Sequence, residues 1–187
     1  MPSGKLIVIS APSGSGKTTI AKEMMKCFPS LEFSVSATTR AMRMGEVDGR
    51  DYFFLTKKEF KNRVDAGEFV EWEEMYGNHY GTLKREVDRA LGNGRHLLFD
   101  VDVKGGLSIK RQYADALMIF IRPPSIEVLT QRLLKRQTED HRTLRKRLDR
   151  VPLELELGTA FDNQVVNDDL ERAIRDVQSL IQHYLTK

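Results

Sequence analysis

The sequence predicts an α/β fold: a three-layer, mostly parallel sheet of about five strands, interrupted by two inserted stretches. Short apolar, β-branched runs alternate with helical stretches along the chain. Those runs are almost continuously apolar, as strands covered on both faces are. The first of them passes through a glycine-rich turn directly into a helical stretch. With 187 residues, 40% of them hydrophobic, the chain suffices for one domain with a substantial core.

In order, strands are expected at residues 6–9, 97–101, 117–121 and 164–166, with a weaker one at 33–35. Helices are expected at 18–27, 83–91, 126–137, 142–157 and 169–185, the last two carrying apolar residues at three- and four-residue spacings. Ser125 stands just ahead of one helix, and Thr56 with Glu59 and Asp168 with Glu171 have the spacing of capping boxes. Phe28, Phe60, Trp72 and the C-terminal leucines read as core, and Cys27 as a buried or half-buried helix residue. Two stretches break the alternation. Residues 36–82 are rich in Arg, Gly, Tyr and acids, with β-like pieces at 52–55 and 69–72 and a turn at 77–82; residues 132–150 form a basic helical block. Both are expected to be mobile, substrate-facing insertions, because binding residues concentrate on such segments.

Thirty Lys and Arg against 27 Asp and Glu give a net charge of +3, too little for a general nucleic-acid or membrane-surface binder. Cys27 is the only cysteine, which excludes an intrachain disulfide framework and a zinc site built on several thiolates, and points to a reducing, cytoplasmic home. No apolar run approaches the ~18 residues of a membrane span, and the first residues lead at once into a strand, leaving no room for a signal peptide. His79, His96, His141 and His183 show neither metal spacing nor a nucleophile partner. Neither nucleic acid nor membrane is an expected partner; monomer and homodimer both stay open.

After the first strand comes Ala11-Pro12-Ser13-Gly14-Ser15-Gly16-Lys17-Thr18-Thr19, the pattern G-x-x-x-x-G-K-[ST] with Ala11 in place of the first Gly. A strand before and a helix after let backbone N–H groups curl around phosphate oxygens at a helix N-terminus. Gly14 and Gly16 give the close approach, Lys17 bridges the outer phosphates of a nucleoside triphosphate, and the Thr18 hydroxyl suits Mg²⁺. Thr19 is a further phosphate contact. A turn that merely joined strand to helix would have no need of Lys17.

Such a P-loop does not say what receives the phosphate. Arg40 and Arg43, followed by Tyr52 in a glycine-containing loop, make a clamp for a phosphate dianion. Glu71 alternates with Val70, so its carboxylate and the hydroxyls of 77–82 face one pocket. An ionised carboxylate only accepts hydrogen bonds, so it suits guanine, whose N1–H and amine both donate, and not adenine. Ser36 or Thr82 is placed to meet O6 or another ring edge.

Together these segments resemble guanylate kinase over almost the whole chain. The resemblance rests on the phosphate loop, Ser-x-Thr-Thr-Arg-x-x-Arg at 36–43, Gly45-Glu46-x-x-Gly49-x-x-Tyr52, Glu68-Phe69-Val70-Glu71-Trp72, Tyr80-Gly81-Thr82, Asp100-Val101-Asp102 and Val166-Asn167-Asp168-Asp169. It implies a core (1–35, 83–125, 158–187), a GMP-binding segment (36–82) and a helical lid (126–157), with the reaction ATP + GMP giving ADP + GDP, and use of dGMP as well. It also implies that Arg40, Arg43, Tyr52 and Tyr80 hold the acceptor phosphate and that Ser36, Glu71, Thr82 and Asp102 read guanine, Thr82 standing where the family often has serine. Of Asp100 and Asp102, at a strand's carboxyl end, one serves Mg²⁺ water and the other the base. Arg132, Arg136 and Arg147 match the lid arginines that embrace the phosphates, while Lys135, Arg142, Arg145, Lys146 and Arg150 read as solvated. Lys17, Arg40, Arg43, Arg136 and Arg147 are thus the expected catalytic charges. Gln137 stands where the family usually has Gly, which bears on the hinge of the lid. Asn167 is suited to the adenine edge, completing a donor site of Ser13 to Thr19, Arg132, Arg136 and Asn167.

Two rivals are distinguishable. A catalytically silent scaffold module of the same fold tends to lose the phosphate loop and to follow other domains, whereas Gly16, Lys17 and Thr18 are present here and the chain starts just ahead of its first strand. A kinase for another small acceptor would have no need of Glu71.

Overall fold

The computed structural model describes residues 4–75, 77–135 and 141–187. In chain order the elements are β1 (Leu6–Ser10), α1 (Lys17–Cys27), β2 (Leu31–Phe33), β3 (Ala37–Thr38), β4 (Phe53–Phe54), α2 (Lys57–Asp65), β5 (Phe69–Met75), β6 (Asn78–Leu83), α3 (Lys84–Gly92), β7 (His96–Asp100), α4 (Val103–Gln112), β8 (Leu117–Arg122), α5 (Ile126–Lys135), α6 (His141–Gly158), β9 (Asn163–Val166) and α7 (Leu170–Thr186). The main sheet has five strands in the order β2-β7-β1-β8-β9. Every neighbouring pair is parallel, with Val8 beside Phe99 and Met118 at its centre.

The two-residue period of a strand divides this core. Ile7, Ile9, Leu98, Ile119 and Ile121 pack with Ile20, Met24, Val177 and Ile181 of α1 and α7. Leu6, Val8, Phe99, Met118 and Phe120 pack on the other face with Val87, Ala90 and Ile109 of α3 and α4. The expected three layers therefore form. A second sheet, in the order β4-β3-β6-β5, closes with α2 over Ala37, Phe60, Phe69 and Leu83. Thr56 caps α2 in a reciprocal capping box with Glu59, as the spacing requires. Leu129, Leu133 and Val151 join α5 to α6.

Several expectations are corrected. α4 is a helix that the alternation did not mark, and residues 78–83 are the strand β6 rather than a turn. The cap of α7 is Asp169, which accepts from the Arg172 N–H at 2.8 Å; Asp168 instead ion-pairs with the Arg172 side chain. Trp72 is 48% exposed because it occupies the outward face of β5, with Glu71 and Glu73 on the inward one. Cys27, the last residue of α1, is exposed and not part of the core.

Candidate active site

Because the strands of the main sheet are parallel, their carboxyl ends share one edge. β1 delivers the glycine loop there, β7 delivers Asp100 and Asp102, and β9 delivers Asn167. Gly14 and Gly16 have φ of 91° and 92°, the left-handed region where a Cβ is strained. A Cβ on Gly16 would also collide with the Asn167 amide. That amide is buried and donates to the Ser15 carbonyl at 2.7 Å, while Arg132 donates to the Asn167 carbonyl at 3.0 Å. Asn167 therefore shapes the loop from beneath, and it also lines a cavity of about 470 Å³ with Gly14, Gly16, Thr19, Arg132 and Leu170.

Lys17 begins α1. Its ammonium lies 2.6 Å from Asp100 Oδ1 and donates to the Val101 carbonyl at 2.8 Å. Thr18 Oγ1 donates to Asp100 Oδ2 at 3.4 Å, and Thr18 and Thr19 are exposed. From α6, Arg147 donates to Ser13 Oγ at 2.7 Å. The loop, Met75, Asp102, Arg147, Arg150 and Glu154 enclose a cavity of about 280 Å³.

An adjoining cavity of about 310 Å³ is lined by Lys17, Ser36, Tyr52, Glu71, Glu73, Met75, Tyr80, Gly81, Asp100, Val101 and Asp102. Glu71 on β5 pairs with Thr82 on β6, and the buried Thr82 hydroxyl donates to Glu71 Oε1 at 2.8 Å. Burial pushes the Glu71 carboxyl up to about 7, against the pull of that hydrogen bond. A Cβ on Gly105, in the first turn of α4, would lie 2.9 Å from Glu71 Oε2, so this glycine leaves the space the carboxylate occupies. Asp102 is the cap of α4, accepting from the Gly105 N–H at 2.8 Å.

The clamp is assembled unevenly. Arg40 is held in a bidentate pair by Glu46, at 2.7 and 3.0 Å, and lies over the rings of Tyr52 and Phe54. The Glu46 hydrogen bond raises the Arg40 guanidinium further above its ordinary value. Tyr52 meets Tyr80 edge to face at 6.2 Å, and burial pushes its phenol up. Arg43 is exposed and, like Arg40, outside the cavity lining; its backbone N–H donates to Glu46 Oε2 at 2.7 Å and its carbonyl accepts from the Glu46 N–H at 3.1 Å. Arg136 and Gln137 lie outside the described residues.

Glu46, Glu73, Arg150 and Glu154 were not foreseen as site residues. Glu46 was visible as a neighbour of two arginines, whereas Arg150 corrects a reading. It is not a solvated member of the basic block but pairs with Glu73 at 3.1 Å, Asp102 at 3.3 Å and Glu154 at 3.5 Å.

A glycine loop with its lysine at the head of a helix, opening onto a second cavity with a buried carboxyl, has the arrangement of a P-loop kinase. The family model described as guanylate kinase matches residues 3–184. The chain is 50% identical over 183 residues to the guanylate kinase of Chlorobaculum tepidum, covering 97% of this chain and 94% of that one. It is 47% identical over 188 residues to that of Salinibacter ruber, covering all of both. The crystal structure of guanylate kinase from Anaplasma phagocytophilum superposes with a TM-score of 0.78 at 28% identity, covering all of this chain and 89% of that one. The chain belongs to the guanylate kinase family, whose reaction is phosphoryl transfer from ATP to GMP.

Proposed function

We propose that the two cavities are the ATP and GMP sites of this phosphotransfer, with dGMP also accepted. The observation that carries the assignment is the position of Lys17, whose side chain lines both cavities. A phosphoryl group passing between them passes its ammonium.

Such transfer needs positioning and charge neutralisation more than a covalent protein group. The N–H groups of Ser13 to Thr19 cradle the donor phosphates, and Lys17 exchanges Asp100 for them. Arg132 and Arg147 close the donor side, with Asn167 and the cavity beside it taking the adenine end. Arg40, Arg43, Tyr52 and Tyr80 hold the acceptor phosphate. Ser36, Glu71, Thr82 and Asp102 meet the base, Glu71 accepting from its N1–H and amine.

Thr18 and Asp100 supply hard oxygen donors side by side at the head of α1, the chemistry Mg²⁺ prefers. Among the described residues no larger cluster of metal-ligating side chains exists, which fits an ion held mainly by substrate phosphates. When bound, Mg²⁺ neutralises charge on the transferring phosphates. No described helix is long and apolar enough to cross a membrane. The single cysteine suits a reducing, cytoplasmic location.

The test is release of ADP from ATP and Mg²⁺ with GMP, dGMP, AMP, CMP or UMP supplied singly. Turnover is expected with the guanine nucleotides only, and Glu71→Gln should lose GMP preference far more than ATP affinity. Equal use of AMP and GMP would refute the base-reading assignment; a folded protein silent with every acceptor would favour a phosphopeptide-binding module.

A further inference from the structure

Helix α6 reaches both cavities. Arg147 meets Ser13 of the phosphate loop at 2.7 Å, and Arg150, about one turn further along the same helix, enters a nest of carboxylates beside the acceptor cavity. Its Nη2 lies 3.1 Å from Glu73 Oε1 and 3.3 Å from Asp102 Oδ2, and its Nε lies 3.5 Å from Glu154 Oε1. The carboxylates come from different parts of the molecule: Glu73 from β5 of the small sheet, Asp102 from the cap of α4 on the core, and Glu154 from α6 itself. Glu73 and Asp102 line the acceptor cavity with Glu71, and Glu73 shares the inward face of β5 with Glu71.

These side chains are 13–30% exposed, so water screens the group less than it would a surface pair. Burial and the neighbouring Asp102 carboxyl push the Glu73 carboxyl up to about 7, and the charges of Arg150 and Lys104 draw it back down. Removing Arg150 would leave two partly buried carboxylates to repel one another across the wall that meets the base.

We propose that Arg150 and Glu73 are positioning residues that couple acceptor binding to donor binding, by clasping the guanine-reading wall to the helix that carries Arg147. The proposal rests on the site assignment above. Donor phosphates that engage Arg147 fix α6, and α6 fixes Arg150 against Glu73 and Asp102. The acceptor pocket is then assembled before GMP arrives, and by linkage GMP favours the donor equally.

Titration calorimetry on the full chain tests this, measuring GMP affinity with and without a non-hydrolysable ATP analogue. The protein is expected to bind GMP about fivefold more tightly, or better, when the analogue is present. Glu73→Ala and Arg150→Ala should each bring that ratio close to one, the double variant should bring no further loss, and Glu73→Gln should behave as Glu73→Ala if charge and not volume is responsible. Arg150→Lys should restore part of the ratio, since an ammonium reaches one carboxylate but cannot fork between two. An unchanged ratio in either single variant, or additive losses in the double, overturns the clasp. GMP binding by the unaltered protein with no dependence on the analogue overturns the clasp and leaves the site assignment standing; no GMP binding at all overturns both.

Discussion

Glu71 is buried as an acid and useful as a base acceptor, and the difference between those states is measurable. Burial raises its carboxyl from 4.5 to about 7. The neutral form therefore favours folding: that contribution is complete below the unfolded value and is lost as pH rises through about 7. Guanine acts in the opposite direction, because only the ionised carboxylate accepts from both the N1–H and the amine. GMP binding should expel a proton below pH ~7, with affinity rising by up to about tenfold per unit towards neutrality and levelling above. The GMP phosphate, with a second pKa near 6, adds release in the same sense. Calorimetry at pH 6 in two buffers of different ionisation enthalpy separates the contributions: the protein should release more protons than its Glu71→Gln variant, and equal counts would show that Glu71 does not ionise on binding. Glu71 was legible in the sequence because a strand's two-residue period and an acceptor-only group leave few alternatives. Arg150 was not, because a run of basic residues on a helix does not reveal which one turns inward. Arg145 is exposed and Arg150 is not, though both belong to the same block.

The helix that the sequence concealed sits against this residue. α4 opens with Asp102 as its cap and places Gly105 and Gly106 in its first turns, at about 1 kcal/mol of lost helix propensity each. Propensity and pattern were therefore silent, and only the packing explains the choice. A Cβ on Gly106 would lie 2.7 Å from the Phe161 ring and 3.2 Å from Val8, inside the core. The nearest atoms to a Cβ on Gly105 are the side-chain ends of Glu71, at 2.9 Å, and Asp102, at 3.1 Å, and not backbone. Gly105→Ala is thus expected to leave the fold intact, since the gain in propensity offsets a side chain that can swing aside. The displaced Glu71 carboxylate should raise KM for GMP by about tenfold or more, with KM for ATP unchanged. Steady-state kinetics with each substrate varied in turn decides it: equal rises in both KM values would mean that the substitution disturbs α4 as a whole. The cap of α7 shows a smaller ambiguity of the same kind. Asp168 and Asp169 are adjacent acids, and composition does not choose between them; the extended backbone of Asp169, φ −120° and ψ 123°, does.

The layered core was the most legible feature, because buried parallel strands must be apolar on both faces, as residues 6–9, 97–99 and 117–121 are. The small sheet was least legible, since β3 and β4 are two residues each and are held by pairing, β4 on β3 and β3 in turn on β6. Its core is the cluster around Phe60, although Val70 of β5 packs into a main-sheet cluster, and Glu71 projects from it into the cavity at the carboxyl edge of that sheet. In the proposed site GMP bridges the two sheets, and its binding is expected to be felt as stability of the entire chain. A ligand at 100 times its Kd stabilises the native state by about 2.7 kcal/mol. For a chain of this size, each kcal/mol raises Tm by about 2–4 °C, so a shift of roughly 5–10 °C is expected from saturating GMP. Glu71→Gln should lose most of the GMP shift and keep that of an ATP analogue, which Lys17 and the glycine loop bind without it. Thermal unfolding of both proteins with each nucleotide separates the two sites without any turnover. A full GMP shift in the variant would mean that the phosphate clamp, and not the base, supplies the affinity, and that Glu71 acts on selectivity alone.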